Sequence, residues 1–113
     1  MSIVYLAPLE GVTDAVFRRT HHACFGGVSR YFIPFVSPTQ NLAFTSRDLA
    51  AIAPECNAGV PAVPQLLAKD AALFNWAARE LADMGYSEVN LNLGCPSGTV
   101  TAKGKGSGLL ADY

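Results

Sequence analysis

Four short apolar runs recur along the chain, and the stretches between them have the spacing of amphipathic helices. The runs cover residues 3–7, 31–36, 62–67 and 87–93, and each has the length of a β-strand. Pro34 inside the second run indicates a strand end or a bulge, because proline has no N–H to donate to a sheet. The pattern predicts four strands, each followed by a helix.

Capping residues predict where the first two helices begin. Thr13 is the predicted N-cap of a helix that extends to about Cys24. Ser46 is the predicted N-cap of a shorter helix over residues 47–53. Both residues carry a hydroxyl that can accept a hydrogen bond from a free backbone N–H in the first turn of a helix.

The third helix has the clearest pattern. It begins after Asp70 and ends at Gly85, and its apolar positions recur at helical spacing: Phe74, Ala77, Ala78, Leu81 and Met84. A fourth helix is predicted to begin at Gly106 and to occupy residues 106–113. The fourth strand and this helix are joined by a loop rich in glycine and lysine.

The alternation of strands and helices predicts an α/β fold in which roughly four parallel strands are joined by right-handed crossovers. Two architectures fit this order: a doubly wound sheet, and the N-terminal half of a TIM (β/α)8 barrel. A whole barrel needs about 250 residues. The chain has 113 residues and stops where a helix starts. We therefore interpret residues 1–113 as a single partial domain, a fragment of a longer protein.

Composition and charge limit the kinds of function that the chain can have. Half of the residues are apolar, which is enough for a buried core, and the formal net charge of −1 gives no global attraction to nucleic acid. The cysteines Cys24, Cys56 and Cys95 form no Cys-x-x-Cys pair, so neither a metal site nor a disulfide framework is expected. No apolar run approaches the roughly 18 residues of a membrane span. These features predict a cytoplasmic protein without a metal or a membrane partner.

Polar residues occur where the predicted strands end. Pro8, Leu9 and Glu10 follow the first strand, Gln65 lies in the third, and Asn92 lies at the end of the fourth. Carboxyl ends of parallel strands meet on one face, so we expect these groups to converge there. Amide side chains in a cavity can form hydrogen bonds with the polar edges of a heteroaromatic ring. The alternative is that Gln65 and Asn92 form hydrogen bonds with otherwise unpaired backbone groups of nearby loops.

Cys95 is the candidate for chemistry. Pro96 cannot continue a sheet ladder, so the strand stops here and the thiol lies at its rim. A reactive thiolate requires a cationic neighbour, for which Lys103 and Lys105 are candidates if their loop folds back. A neutral thiol is instead a usable proton donor. The residues alone leave both roles open.

The glycine-rich stretch over residues 98–108 does not have the spacing of a nucleoside-triphosphate loop or of a dinucleotide fingerprint. It is better interpreted as a basic loop whose glycines allow close approach of a backbone. Lys103 and Lys105 are candidates to bind a substrate phosphate. The alternative is that both are ordinary solvated surface lysines.

Two motifs, taken together, resemble the tRNA-dihydrouridine synthases. The first is the segment over residues 6–14, Leu-Ala-Pro-Leu-Glu-Gly-Val-Thr-Asp. The second is the segment over residues 90–96, Asn-Leu-Asn-Leu-Gly-Cys-Pro, which is followed by Lys103, Gly104, Gly106 and Ser107. The resemblance extends over essentially the whole chain in the order of the family.

This resemblance implies a barrel enzyme that uses FMN, reduced by NADPH, to reduce the C5=C6 bond of uridines in tRNA. In the family the cysteine that matches Cys95 is the general acid. The segment that matches Pro8, Leu9 and Glu10 lies along the flavin, and an amide that matches Gln65 contacts the flavin ring. The resemblance also implies that Asn92 forms the floor of the uridine pocket and that the target base is flipped out of the RNA stack.

The chain departs from the family in length. Later strands of the family bring further flavin-binding residues, and a helical C-terminal domain holds tRNA; both are missing here. We therefore expect the fragment alone to be inactive and to self-associate through open sheet edges. Two alternatives stay open: a flavin barrel dehydrogenase acting on a free pyrimidine, and an inactive truncated binding module.

Overall fold

The computed structural model describes residues 2–111, and within that range the chain alternates between short strands and helices. The strands are β1 (Val4–Leu6), β2 (Val28–Phe32), β3 (Ala62–Val63), β4 (Gln65–Leu66) and β5 (Asn90–Leu91). The α-helices are α1 (Ala15–Cys24), α2 (Ser46–Ile52), α3 (Ala71–Asp83) and α4 (Gly98–Thr101). Two 3-10 helices cover Pro54–Asn57 and Gly106–Ala111.

The strands pair in parallel and in the order in which they occur in the chain. β1 pairs with β2, β2 pairs with β3, and β4 pairs with β5. A parallel bridge between Val36 and Leu66 carries the pairing on from β2 to β4. A doubly wound sheet reverses its strand order at a switch point, whereas neighbouring strands of a barrel follow one another. The sequential order is consistent with a segment of a barrel.

Prolines shorten the predicted strands. The run over residues 31–36 was predicted as one strand with an end or a bulge at Pro34. The strand begins earlier, at Val28, and ends at Phe32, so the predicted end near Pro34 is confirmed. The run over residues 62–67 is split into β3 and β4 by Pro64. Proline has no backbone N–H, so the ladder of hydrogen bonds is interrupted at both positions. The runs over residues 3–7 and 87–93 contain the shorter strands β1 and β5.

Two of the predicted helix caps are wrong by one residue. Asp14, not Thr13, caps α1, because its Oδ1 accepts a hydrogen bond from the backbone N of Phe17 at 2.8 Å. Thr45, not Ser46, caps α2 and accepts from the backbone N of Asp48 at 3.2 Å. Asp14 and Thr45, the residues immediately before the two helices, both have the extended backbone that an N-cap requires.

The third predicted helix is confirmed, and the chain beyond β5 is more structured than predicted. Asp70 caps α3 by accepting from the backbone N of Leu73 at 2.9 Å. The predicted loop over residues 98–108 contains α4 and the start of a 3-10 helix. The helix predicted over residues 106–113 is this 3-10 helix as far as Ala111, and residues 112–113 lie outside the described part of the chain.

The core lies between the helices and the strands. Six residues, contributed by strand segments, α2 and α3, are almost fully buried: Ile33, Val36, Ile52, Leu66, Ala77 and Leu81. Burial of a leucine or isoleucine side chain stabilises a fold by about 1.5–3 kcal/mol. The predicted apolar face of α3 therefore points into this core, and the carboxyl ends of the strands are left free for a site.

Arg18 is a buried cation that joins the turn after β1 to the 3-10 helix Pro54–Asn57. Its side chain is only 1% exposed. Its Nη1 donates to the carbonyl of Thr13 at 2.7 Å, and its Nη2 donates to Oδ1 of Asn57 at 2.8 Å. Burial lowers the pKa of Arg18, and neutral oxygens rather than a carboxylate accept its hydrogen bonds. The segment after β1 is thereby held against the 3-10 helix Pro54–Asn57.

Candidate active site at the carboxyl ends of the strands

A chain of three amide side chains crosses from β4 to β5. Gln65 is the register partner of Asn90, and its Nε2 donates to Oδ1 of Asn90 at 2.9 Å. Its Oε1 accepts from Nδ2 of Asn92 at 3.0 Å. Side chains of a strand alternate between its two faces, so Asn90 and Asn92 lie on one face and bracket Gln65. This arrangement fixes the orientation of the Gln65 amide.

The amides retain defined hydrogen-bonding capacity. Gln65 still has one N–H and one lone pair without a partner among these contacts, because an amide has two donors and two lone pairs. The Oδ1 of Asn92 accepts from the backbone N of Gly94 and of Cys95, each at 3.1 Å, so that oxygen is filled. One N–H of Asn92 remains, so this residue can offer a donor to a ligand.

The alternative that both amides only satisfy loop backbone is therefore correct in part. Asn92 does bind the loop backbone, at Gly94 and Cys95. Gln65 binds the two asparagines instead. Sequence reasoning missed Asn90, although its position two residues before Asn92 in a predicted strand was a usable signal.

The backbone of Cys95 is held from both sides. Its N–H donates to Asn92, and its carbonyl oxygen accepts from both the backbone N and the Oγ of Ser107, each at 3.0 Å. Gly106 has φ of +55°, and a Cβ there would lie 2.7 Å from the Cys95 oxygen. Only glycine permits this approach. Ser107 belongs to the second motif, but the motif alone did not predict that its side chain and backbone contact the carbonyl of Cys95.

Five of the predicted site residues line one cavity of about 240 Å³: Pro8, Glu10, Gln65, Asn92 and Cys95. Pro34 and Phe35 complete its wall. A neighbouring cavity of about 240 Å³ shares Pro8 and Gln65 with the first. The strand ends therefore bring a thiol, two amides and a carboxylate around a common space.

The turn after β1 is folded by its own hydrogen bonds. The Oγ1 of Thr13 accepts from the backbone N of Leu9 at 2.8 Å, and the carbonyl of Leu9 accepts from the N of Thr13 at 3.0 Å. The side chain of Leu9 is 58% exposed and is not part of the wall around Cys95. Glu10 forms an ion pair with Arg47 of α2. Of this predicted segment, Pro8 and Glu10 face the cavity.

The two predicted lysines lie apart from Cys95. Lys103 and Lys105 line another cavity, of about 810 Å³. Lys105 does fold back, but its Nζ donates to Oγ of Ser37 at 2.7 Å. Burial, followed by the nearby charges of Lys103 and Lys69, lowers the pKa of Lys105. The structure does not place these lysines in the cavity with the thiol.

Residues 2–111 contain neither a membrane-spanning helix nor a metal-binding cluster. No helix in that part of the chain is long and apolar enough to cross a membrane. The same residues contain no cluster of three or more histidine, cysteine, aspartate or glutamate side chains suited to a metal ion. Cys24, Cys56 and Cys95 are free thiols.

Fold and site together define a parallel α/β domain with a pocket of amides and a thiol at the carboxyl ends of its strands. The family model described as dihydrouridine synthase matches residues 5–113. The chain belongs to the dihydrouridine synthase family.

Individual relatives agree with the family match. A probable tRNA-dihydrouridine synthase of Rhodobacter capsulatus is 34% identical over 107 residues, which are 95% of this chain and 32% of the relative. A tRNA-dihydrouridine synthase B of Pasteurella multocida is 32% identical over 95% of this chain and 31% of the relative. A probable tRNA-dihydrouridine synthase of Staphylococcus epidermidis is 35% identical over 93% of this chain and 32% of the relative. The chain spans about a third of the length of these relatives.

We expect Ser107→Ala to increase the rate at which iodoacetamide alkylates Cys95 by about fivefold. The substitution removes one of two hydrogen bonds to the Cys95 carbonyl, worth about 1 kcal/mol, and so frees the half-buried thiol. Peptide mass spectrometry reports Cys95 separately from Cys24 and Cys56. Ser97→Ala is the matched control, because its hydroxyl contacts Thr99 on the surface. Equal Cys95 rates in both variants would contradict the proposed positioning by Ser107.

Proposed function

We propose that this chain is the N-terminal part of a tRNA-dihydrouridine synthase, an oxidoreductase that reduces the C5=C6 bond of uridine in tRNA. The observation that carries the proposal is the cavity in which Cys95, Gln65 and Asn92 meet. Membership of the dihydrouridine synthase family supports the reaction, and the names of the relatives as tRNA-dihydrouridine synthases support tRNA as the substrate.

The proposed architecture is the N-terminal half of a TIM (β/α)8 barrel, with residues 1–113 as a single partial domain. The parallel strands in chain order support this architecture, and so does the match to about a third of each relative. A cytoplasmic location stays a prediction.

The residues around the cavity fit a flavin ring. An isoalloxazine has an edge that alternates donors and acceptors, and Gln65 has one of each left after its bonds to Asn90 and Asn92. Pro8 lines both neighbouring cavities and offers a flat apolar surface beside that amide. We assign Pro8, Leu9, Glu10 and Gln65 to FMN binding, with Leu9 contributing through its backbone. Bound there, FMN reduced by NADPH would supply the hydride that the reduction of the base requires.

Cys95 acts as the general acid in this proposal. Its S–H bond breaks, and the proton goes to C5 of the uracil while a hydride is added at C6, so the base gains two hydrogens in total. The thiol then recovers its proton from solvent. The contacts of Asn92 and Ser107 hold the backbone of Cys95, from which the thiol extends, at the cavity wall.

Asn92 recognises the base in this arrangement. Its oxygen is filled by the N–H groups of Gly94 and Cys95, so only a donor is free. That donor is suited to a carbonyl oxygen of uracil and not to a ring N–H. The same side chain therefore orients the acid and binds the substrate. Lys103 and Lys105 are assigned to the substrate as well, in the neighbouring basic cavity.

The alternative of a dehydrogenase for a free pyrimidine shares this fold and this cofactor. Family membership favours the tRNA enzyme. An assay that offers unmodified tRNA and free uracil to the same protein separates the two, because the proposed enzyme reduces the polymer.

We expect Cys95→Ala, in the full-length protein that carries this chain, to lower the rate of dihydrouridine formation by about 100-fold or more while flavin absorbance is retained. Loss of a general acid typically has an effect of this size. The measurement is mass-spectrometric quantification of dihydrouridine in unmodified tRNA after incubation with NADPH. Cys24→Ala is the control, because Cys24 is exposed at the end of α1 and lies outside the cavity. A Cys95→Ala protein with undiminished rate would refute the assignment.

We expect the 113-residue chain alone to bind FMN weakly, to reduce no tRNA and to self-associate. Residues of β1 at the sheet edge are exposed, Val4 by 48% and Tyr5 by 49%, and an unpaired edge is a template for pairing with another chain. Gel filtration monitored at the flavin absorbance bands checks this. Elution as a monomer with stoichiometric flavin would be the opposite result.

The truncated-module alternative predicts binding without turnover even in the longer protein. The proposed enzyme and this alternative thus differ in one result, namely whether the full-length protein forms dihydrouridine that depends on Cys95.

A further inference from the structure

All three lysines of the sequence line a single cavity. Lys69, Lys103 and Lys105 face a space of about 810 Å³, together with Arg47 of α2. The chain has eight lysines and arginines in total and a net charge of −1, so half of its cationic side chains are gathered here. Solvated lysines without a role have no reason to cluster on an acidic chain. The clustering therefore favours a ligand over the alternative of ordinary surface lysines.

Separate segments bring these charges together. Lys69 lies between β4 and the cap of α3, and Arg47 lies on α2. Lys103 and Lys105 lie between α4 and the following 3-10 helix. The contact of Lys105 with Ser37, whose Oγ in turn donates to the carbonyl of Leu67 at 2.8 Å, anchors the last segment to the strand ends. The cavity is thus a built feature of the fold and not a property of one flexible loop.

The positive charge in this cavity is poorly compensated. Asp48 is the one carboxylate among the residues that line it, and its Oδ2 accepts from the backbone N of Ser37 at 3.1 Å. Within residues 2–111 the ion pairs are Arg30–Glu88 and Arg47–Glu10, so none of the lysines pairs with a carboxylate there. Burial and the like charges of Lys69 and Lys103 lower the pKa of Lys105. A bound anion would relieve this repulsion.

Shared lining residues relate this cavity to the one around Cys95. A third cavity, of about 360 Å³, shares Ser37, Arg47 and Asp48 with the basic cavity. It also shares Glu10, Pro34 and Phe35 with the cavity around Cys95. A ligand that reaches from the thiol to the lysines must be extended and must carry negative charge away from its reacting group. A polynucleotide has this form, because each base is followed by a phosphate.

We propose that Lys69, Lys103 and Lys105 form a phosphate-binding cleft for the RNA strand that flanks the base held at Cys95. This inference rests on the proposed function and adds Lys69 to the residues that bind the substrate. Phosphate contacts of this kind fix the position of a strand and do not read its sequence. The cleft orients the strand, while Asn92 recognises the base.

The test measures how tRNA affinity depends on salt in the full-length protein that carries this chain. Each lysine that neutralises a phosphate releases counterions, so Lys69→Gln should reduce the slope of log Kd against log salt by about 1. Lys103→Gln provides a second variant with the same expectation, and both side chains are exposed, so the fold is retained. Arg79→Gln, an exposed site on α3 outside the cleft, is the charge-matched control and should leave the slope unchanged.

Fluorescence anisotropy with labelled unmodified tRNA provides the values, and competition by inorganic phosphate or NADPH identifies the source of the bound phosphate. The proposed cleft would be refuted if the slope of log Kd against log salt were the same in Lys69→Gln and Lys103→Gln as in Arg79→Gln. Competition by NADPH that is present in the wild type and lost in Lys69→Gln would overturn it as well, because the cleft would then hold the reductant.

The two proposals fail in different ways. If wild-type protein forms dihydrouridine while the lysine variants keep the wild-type slope, the cleft is refuted and the activity stands. If the lysine variants lose slope but no dihydrouridine forms, the activity is refuted and the RNA contact stands.

Discussion

The parallel register between β4 and β5 is the constraint on which the site depends. It places Gln65 opposite Asn90, and the two-residue period of a strand then places Asn92 on the same face. A slip of one residue would turn both asparagines to the other side of the sheet. In the observed register the three amides bind one another, and the last of them fixes the backbone of Cys95. The position of the thiol thus follows from strand pairing.

Much of the fold and part of the site could be predicted from the sequence, because local signals determine them. The apolar face of α3 and its Asp70 cap follow from spacing and residue type. Strand bounds were less predictable. The apolar content of residues 62–67 indicated one continuous strand, but Pro64 divides it into β3 and β4. The caps of α1 and α2 each lie one residue from the predicted position, because either of two adjacent polar residues could serve as a cap and residue type alone does not choose between them.

Features that join distant parts of the chain carried no signal in the pattern. The hydrogen bonds from Ser107 to Cys95 and from Lys105 to Ser37 connect residues 12 and 68 positions apart. The convergence of Pro8, Gln65 and Asn92 was predictable, because parallel strands share a carboxyl edge. The separation of the lysines from the thiol was not predictable, because it depends on how residues 98–111 fold. In the proposed function this separation divides the roles: the amides and the thiol contact the base, and the cations of the neighbouring cavity contact the RNA strand.

The most direct test of the account is whether residues 65 and 95 share one cavity in solution. Gln65→Cys in a background of Cys24→Ser and Cys56→Ser leaves two thiols, which a bifunctional thiol reagent short enough to fit the cavity can bridge. The account predicts an intramolecular link between positions 65 and 95, located by peptide mass spectrometry. As a control, a protein that keeps Cys24 and Cys95, with Cys56→Ser and the native Gln65, should form no such link. Absence of the 65–95 link, with both thiols shown to react singly, would contradict it.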